Sequence, residues 1–389
     1  MTSGPPRTRI STLDKPAQAA PEGLVGTFYN SDTIAQVLRE IGLKHVALCP
    51  GSSFRGLHES LVNALGNRDP EMILCLHEEH AVAIAHGYAR VTGEPMGVIV
   101  HSNVGLMHAT MAVYNAWCDR MPMLILGGIG PLDSARRRTP IDWLHSVADQ
   151  GALVRHYVKW DDQPLSPRAA IESVLRGNQI MRTAPKGPVY ITLDQRLQED
   201  CVPYLEADKP DARRFRAPAP PTPDPDLVQE AARWLVDSQF PVILAGRVSR
   251  DEGAWDERVR LAEALGATVL TDLKVAAAFP TDHVLHGAEP AIAFTPDDGV
   301  EILRRADVVL SLDWWDPATL FKQAWGEINT PARVIRCSLD NYIHRGWTRD
   351  HMGLAPVDLD ILAEPDNVVP ALLAEIARSA DSGFRHRAA

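Results

Sequence analysis

From about residue 30 onward, short apolar runs alternate with amphipathic stretches. The spacing predicts helix over 32–41, strand over 45–48, helix over 54–65, strand over 72–76 and helix over 79–92. It continues with strand over 96–101, helix over 105–119, strand over 123–127 and a late strand over 189–193. Strand and helix in alternation imply a parallel sheet with helices on both faces. The pattern breaks across 201–226, where Ala217-Pro218-Ala219-Pro220-Pro221-Thr222-Pro223-Asp224-Pro225 cannot continue a helix or a central strand and suits an extended linker. Alternation then restarts: helix over 227–238, strand 241–245, helix 255–265, strand 268–271, helix 300–305, strand 308–312 and a last helix over 368–377.

The fold class is therefore α/β, with two doubly wound parallel-sheet domains in tandem. The predicted organisation is a flexible segment over 1–24, a first domain over 25–200, a Pro-rich linker over 201–226, a second, Rossmann-like domain over 227–380 and a polar tail over 381–389. In the second domain, Ile243-Leu244-Ala245-Gly246-Arg247 resembles the start of a dinucleotide fold, but the G-x-G-x-x-G spacing is missing. A packing or dimerisation domain is the simpler reading.

Composition narrows the partners. The 389 residues are 45% hydrophobic and 23% charged, in the ordinary globular range, and the formal charge of -11 disfavours nucleic acid and anionic membrane. Arg136-Arg137-Arg138 is one small basic cluster, read as a solvated loop. Five cysteines, Cys49, Cys75, Cys118, Cys201 and Cys337, are odd in number and lack a C-x-x-C pair, so neither a disulfide framework nor a zinc site is supported. The segment before Gly23 has no apolar core and no later run reaches membrane-spanning length; the expectation is a cytoplasmic protein without a membrane partner.

Open parallel sheets bind ligands at the carboxyl ends of their strands, which directs attention to four loops. Cys49-Pro50-Gly51-Ser52-Ser53-Phe54 places two hydroxyls in a tight turn before a helix, a pattern that ordinary turn and cap chemistry also produces. His77-Glu78-Glu79-His80 sets acids at a helix start, where the helix dipole alone favours them. His101-Ser102-Asn103-Val104-Gly105 stands a histidine at a strand end, and Gly127-Gly128-Ile129-Gly130-Pro131 offers backbone that something can approach closely. Histidines crowd this part of the chain: His45, His58, His77, His80, His86, His101, His108, His145 and His156, and proton transfer near neutral pH is their obvious use. Metal binding is the rival use, but His77 and His80 lack a third spaced ligand and H-E-x-x-H is absent, so no metal ligand is assigned.

Cys49-Pro50-Gly51-Ser52, His77-Glu78-Glu79, Gly87-Tyr88-Ala89-Arg90 with Thr92-Gly93, His101-Ser102, and Asn115-Ala116-Trp117-Cys118-Asp119-Arg120-Met121-Pro122 together resemble the pyrimidine-binding domain of thiamine diphosphate enzymes. The group includes acetolactate synthase, benzoylformate decarboxylase and benzaldehyde lyase. The resemblance covers about 25–200, and more loosely the second domain is similar to the family's central domain. It implies that Glu78 hydrogen-bonds N1′ of the cofactor's aminopyrimidine, favouring the imino tautomer that takes the proton from the thiazolium C2. Glu79 is secondary. It implies cofactor contacts from Pro50, Gly51 and Gly105, and substrate contacts from Ser52, Ser53, His101, Ser102 and His108. His101 falls where benzoylformate decarboxylase has a histidine, which suggests a 2-oxo acid or aromatic acyl pocket with His101 moving a proton. Acetolactate synthases lack that histidine, and His108 stands where the family usually has Asn.

Family enzymes carry a third domain whose Gly-Asp-Gly motif ligates the magnesium of the diphosphate, and no Gly-Asp-Gly occurs in this sequence. The resulting expectation is a split enzyme: a heteromeric lyase or carboligase for a 2-oxo acid or acyloin. Thiamine diphosphate with Mg2+ would be completed by a separately encoded diphosphate-binding subunit, in a hetero-oligomer such as a heterotetramer. The alternatives are a non-catalytic interaction homologue and a fragment of an acetolactate synthase-like large subunit. FAD binding by the second domain is not legible in its sequence.

Overall fold

The computed structural model describes residues 27–138, 141–203, 211–291, 294–326, 330–342 and 353–380. The predicted segment 1–24, the tail 381–389 and part of the predicted linker lie outside the described residues. The chain divides into two units, with the main boundary between Ala217 and Pro218.

The first unit runs β1 (Thr27–Tyr29), α1 (Asn30–Glu40), β2 (His45–Leu48), α2 (Arg55–Glu59), β3 (Glu71–Leu74), α3 (Glu78–Thr92), β4 (Met96–Val100) and α4 (Ser102–Cys118). It continues with β5 (Met123–Ile129), β6 (Trp160–Asp162), α5 (Pro167–Arg182), β7 (Pro188–Asp194), α6 (Gln195–Glu199) and β8 (Cys201–Pro203). Six strands form one parallel sheet in the order β3-β2-β4-β5-β7-β6. β8, inside the predicted linker, pairs antiparallel with β1.

Alternate strand residues face opposite layers. Val46, Leu48, Ile99, Leu124, Leu126, Val189 and Ile191 pack under α1, α2 and α5. Ala47, Val98, Val100, Met123, Ile125 and Tyr190 pack under α3 and α4. Those two helices meet the sheet through small side chains, Ala81, Val82 and Ala85 on α3 and Ala109, Ala112 and Ala116 on α4. Asp119, just past α4, ties them by accepting from His86 Nε2 at 2.8 Å and Arg90 at 3.0 Å on α3.

After β2 the chain goes to β3 on one side and returns to β4 on the other. The reversal opens a crevice outside the carboxyl ends of β2 and β4, the position where open α/β sheets hold ligands.

The predicted helix over 54–65 is not a single α-helix. A 3₁₀ turn (Ser52–Phe54) leads into α2, and α2 into a π turn (Ser60–Ala64) closed by Leu65 N donating to Ser60 O at 3.1 Å. Ser60 Oγ donates to Gly56 O at 3.0 Å and, its one hydrogen used there, accepts from Ser31 Oγ at 2.8 Å, side-chain bonding that competes with the α ladder. Likewise α4 begins at Ser102, earlier than Gly105, because Gly105 N already donates to His101 O at 2.6 Å.

The second unit contains α7 (Pro225–Asp237), β9 (Pro241–Ala245), α8 (Glu252–Leu265), β10 (Thr268–Thr271), α9 (Asp297–Arg305), β11 (Val308–Leu312), α10 (Pro317–Trp325), β12 (Arg333–Cys337), β13 (Leu359–Ile361) and α11 (Pro365–Ala380). Its five strands are parallel in the order β10-β9-β11-β12-β13. The α8 ends show cap chemistry: Asp251 accepts from Ala254 N at 2.9 Å, and Gly266 closes the helix at φ 56°.

At this sheet's own reversal, between β9 and β11, protein atoms fill the crevice. A Cβ on Gly246 would lie 2.2 Å from Asp313 O, and Gly246 N and Arg247 N donate to Leu312 O and Asp313 O at 3.0 and 2.9 Å. The Arg247 guanidinium pairs with Asp313 at 3.2 Å and Asp340 at 3.1 Å. The glycine after β9 thus serves a backbone contact within the sheet.

Candidate active site

His101 follows β4, and its ring lies across the β2 loop. Gly51 makes this possible, because a Cβ there would sit 2.4 Å from His101 Cγ. Ser53 Oγ is 2.8 Å from His101 Nδ1, and Ser53 N points at the same nitrogen from 3.5 Å. An amide can only donate, so this pattern makes Nδ1 an acceptor and assigns the ring proton to Nε2. Ser53 is itself held from two sides. A Cβ on Gly128 would lie 2.2 Å from its Oγ, and Gln198 Nε2 donates to its carbonyl at 3.1 Å.

Burial lowers the pKa of His101 below its ordinary value. His145, with rings 4.7 Å apart, pushes the same way, and the charge of Glu78 opposes both. His101 is therefore held toward its neutral form, with an N–H to offer at Nε2. His145 Nδ1 is 3.0 Å from Ile141 O, an acceptor only, which puts a proton on Nδ1.

Glu78 opens α3, and its side chain is 11% exposed. Oε1 lies over Gly105 of α4, where a Cβ would be 2.8 Å away, so the glycine is the seat of the carboxylate. Oε2 is 3.7 Å from His108 Nδ1. His108 stacks on His77 at 4.9 Å between centroids and 8° between planes. The Cys49 thiol is pushed up first by burial and then by the charges of Glu78 and Cys75, so it is a thiol and not a thiolate beside this carboxylate.

Ser102 has φ 44°, in the left-handed region, at the junction of β4 and α4. Its Oγ and the Asn103 Oδ1 are buried without a hydrogen-bond partner among the described residues. Strained backbone and unsatisfied polar atoms concentrate at working sites.

Of the residues named from sequence, Glu78, Gly105 and His108 come together, as do Gly51, Ser53 and His101. Pro50, Ser52 and Glu79 are exposed. The Gly127-Gly128-Ile129-Gly130 run is approached from within the protein: by Tyr190 Oη at Gly127, Ser53 Oγ at Gly128 and Ser146 Oγ at Gly130. His145 and Gln198 were not singled out as site residues. The crowding of histidines was the signal for His145, and nothing in the local pattern marks Gln198.

The fold and this cluster define a tandem doubly wound α/β protein with a carboxylate and histidines gathered at the reversal of its first sheet. Residues 30–153 match the family model described as "Thiamine pyrophosphate enzyme, N-terminal TPP binding domain", and residues 228–372 match "Thiamine pyrophosphate enzyme, central domain". The chain belongs to the thiamine pyrophosphate enzyme family.

The probable acetolactate synthase large subunit of Methanocaldococcus jannaschii is 28% identical over 66% of this chain and 42% of its own length. The benzoylformate decarboxylase of Pseudomonas aeruginosa is 27% identical over 59% of this chain and 41% of its own. The chain spans about half the length or less of these curated relatives. In fold it is similar to the thiamine diphosphate-dependent 4-hydroxybenzoylformate decarboxylase of Rhodococcus jostii RHA1, with a TM-score of 0.71 at 20% identity over 93% of this chain and 63% of that one.

The residues present fit the pyrimidine end of the family's cofactor. A largely buried carboxylate is seated on a glycine of α4 that leaves it room, and at the start of the same helix Ser102 Oγ and Asn103 Oδ1 lack partners among the described residues. Among the described residues no helix is long and apolar enough to cross a membrane.

Proposed function

We propose that this chain is the subunit of a split thiamine diphosphate-dependent lyase or carboligase acting on a 2-oxo acid or acyloin. In this reading it supplies the pyrimidine half of the site, and a separately encoded chain holds the diphosphate and Mg2+. The observation that carries the reading is Glu78, largely buried and seated over Gly105. A carboxylate taken out of water is expensive to keep without a partner.

When bound, thiamine diphosphate supplies an electron sink for carbon next to a carbonyl. This chain's residues handle protons around it. Glu78 would exchange a proton with a nitrogen of the aminopyrimidine, in surroundings where water competes weakly for the contact. His101, neutral and protonated at Nε2, would donate to an oxygen of the substrate, and Ser53 at Nδ1 holds that tautomer in place. The names of the relatives, acetolactate synthase and benzoylformate decarboxylase, bracket the chemistry between joining and cleaving 2-oxo acids.

Exposed apolar side chains support a protein partner at this edge. Leu76, two residues before Glu78, is 97% exposed, and Met107 and Met111 flank His108 on α4 at 50% and 56%. The test compares the purified chain with the same chain assembled with its co-purifying partner. With thiamine diphosphate, Mg2+ and a 2-oxo acid, the chain alone should show no turnover and the assembly should. Turnover by the chain alone would overturn the split arrangement.

A further inference from the structure

His77, Glu78 and His108 each bring one ligand atom to within 4.8 Å of the others. Sequence spacing pairs His77 with His80, but their rings are 5.6 Å apart and tilted by 52°. The fold pairs His77 instead with His108 from the next helix, at 4.9 Å and nearly parallel, and sets Glu78 Oε2 3.7 Å from His108 Nδ1.

We propose that these three side chains form a site for a borderline divalent transition ion of the zinc class. Two imidazoles and one carboxylate are a recurrent donor set for such ions, with metal–ligand distances of about 2.0–2.2 Å, so ligand atoms must approach one another to roughly 3.0–3.5 Å. The ligand atoms, within 4.8 Å of one another, are short of that spacing, so the proposal requires the side chains of His77, Glu78 and His108 to turn toward a common point. His108 is 60% exposed, which gives the ion a way in. The hydrogen bond at stake is that of Glu79 N to His77 Nδ1 at 3.1 Å, on the protein's surface. With three protein ligands the ion keeps at least one open position.

The site uses the carboxylate that the proposed function assigns to the cofactor. On that reading, zinc and the aminopyrimidine compete for Glu78. Metal binding itself needs neither cofactor nor partner, so the two ideas can fail separately.

The test is calorimetric titration of the full chain, stripped of metal, with zinc chloride, alongside the visible absorption of the cobalt-loaded chain. The expected result is one zinc per chain. His108→Asn, His77→Gln and Glu78→Gln should each weaken affinity on the order of tenfold or more. Glu79→Gln and His156→Gln should leave it unchanged. The cobalt spectrum should collapse in His108→Asn while circular dichroism and melting temperature stay as in the parent. No saturable binding, or the same isotherm in His108→Asn and His77→Gln as in the parent, would overturn the site.

Discussion

Glu78 and His101 are legible in the sequence as residue types in unusual places: a carboxylate at the start of an alanine-rich helix and a histidine at the end of an apolar strand. Which serine serves His101 is not legible. Ser52 and Ser53 are adjacent, and only the 3₁₀ turn they share decides that Ser53 turns inward to Nδ1 while Ser52 faces solvent. His108 was legible as a departure from the family's Asn, but its contact with Glu78 depends on how α4 crosses the start of α3. The pH dependence of stability belongs to this scale. Burial lowers the pKa of His101 from 6.5, so the unfolded chain takes up a proton that the folded one resists. The contribution of neutral His101 is complete above about 6.5 and is lost as pH falls through and below that value. Melting temperatures of the parent and His101→Gln between pH 8 and pH 5 should therefore converge toward acid. A difference that widens toward acid would mean that the folded state favours the imidazolium.

At the scale of elements, the strands with unbroken apolar runs were placed to within a residue or two, because such runs have no alternative to the sheet interior. β6 (Trp160–Asp162) escaped, being short, acidic and at the sheet edge. β12 and β13 escaped because arginine and aspartate interrupt them; Arg336 and Asp360 sit opposite each other and pair across the strands. The α4 helix offers a sharp test of the site's architecture. Gly105 lies inside that helix, where alanine is intrinsically better by about 1 kcal/mol. Yet its missing Cβ is the seat of Glu78. Gly105→Ala should thus hold or raise the melting temperature while lowering the activity of the proposed assembly, by about tenfold or more if the displaced carboxylate loses about 1.4 kcal/mol of transition-state interaction. Unchanged activity would mean that the position of Glu78 over Gly105 is not the working one.

For the molecule as a whole, the tandem of two parallel-sheet units followed from strand–helix alternation and the proline-rich stretch between them. What the second sheet does with its own reversal did not follow. Its strand order repeats the logic of a ligand-binding crevice, but Gly246, Arg247, Asp313 and Asp340 fill the place with an internal ion-pair cluster. On the proposed function, the chemistry of this chain falls to the first unit, and within it to Glu78. The direct measurement is the rate of hydrogen–deuterium exchange at C2 of thiamine diphosphate in the assembled complex, followed by NMR for the parent and Glu78→Gln. The account predicts that Glu78→Gln slows exchange by about 100-fold or more and leaves the mass of the complex unchanged. Near-normal exchange in Glu78→Gln would contradict it and take this carboxylate out of the mechanism.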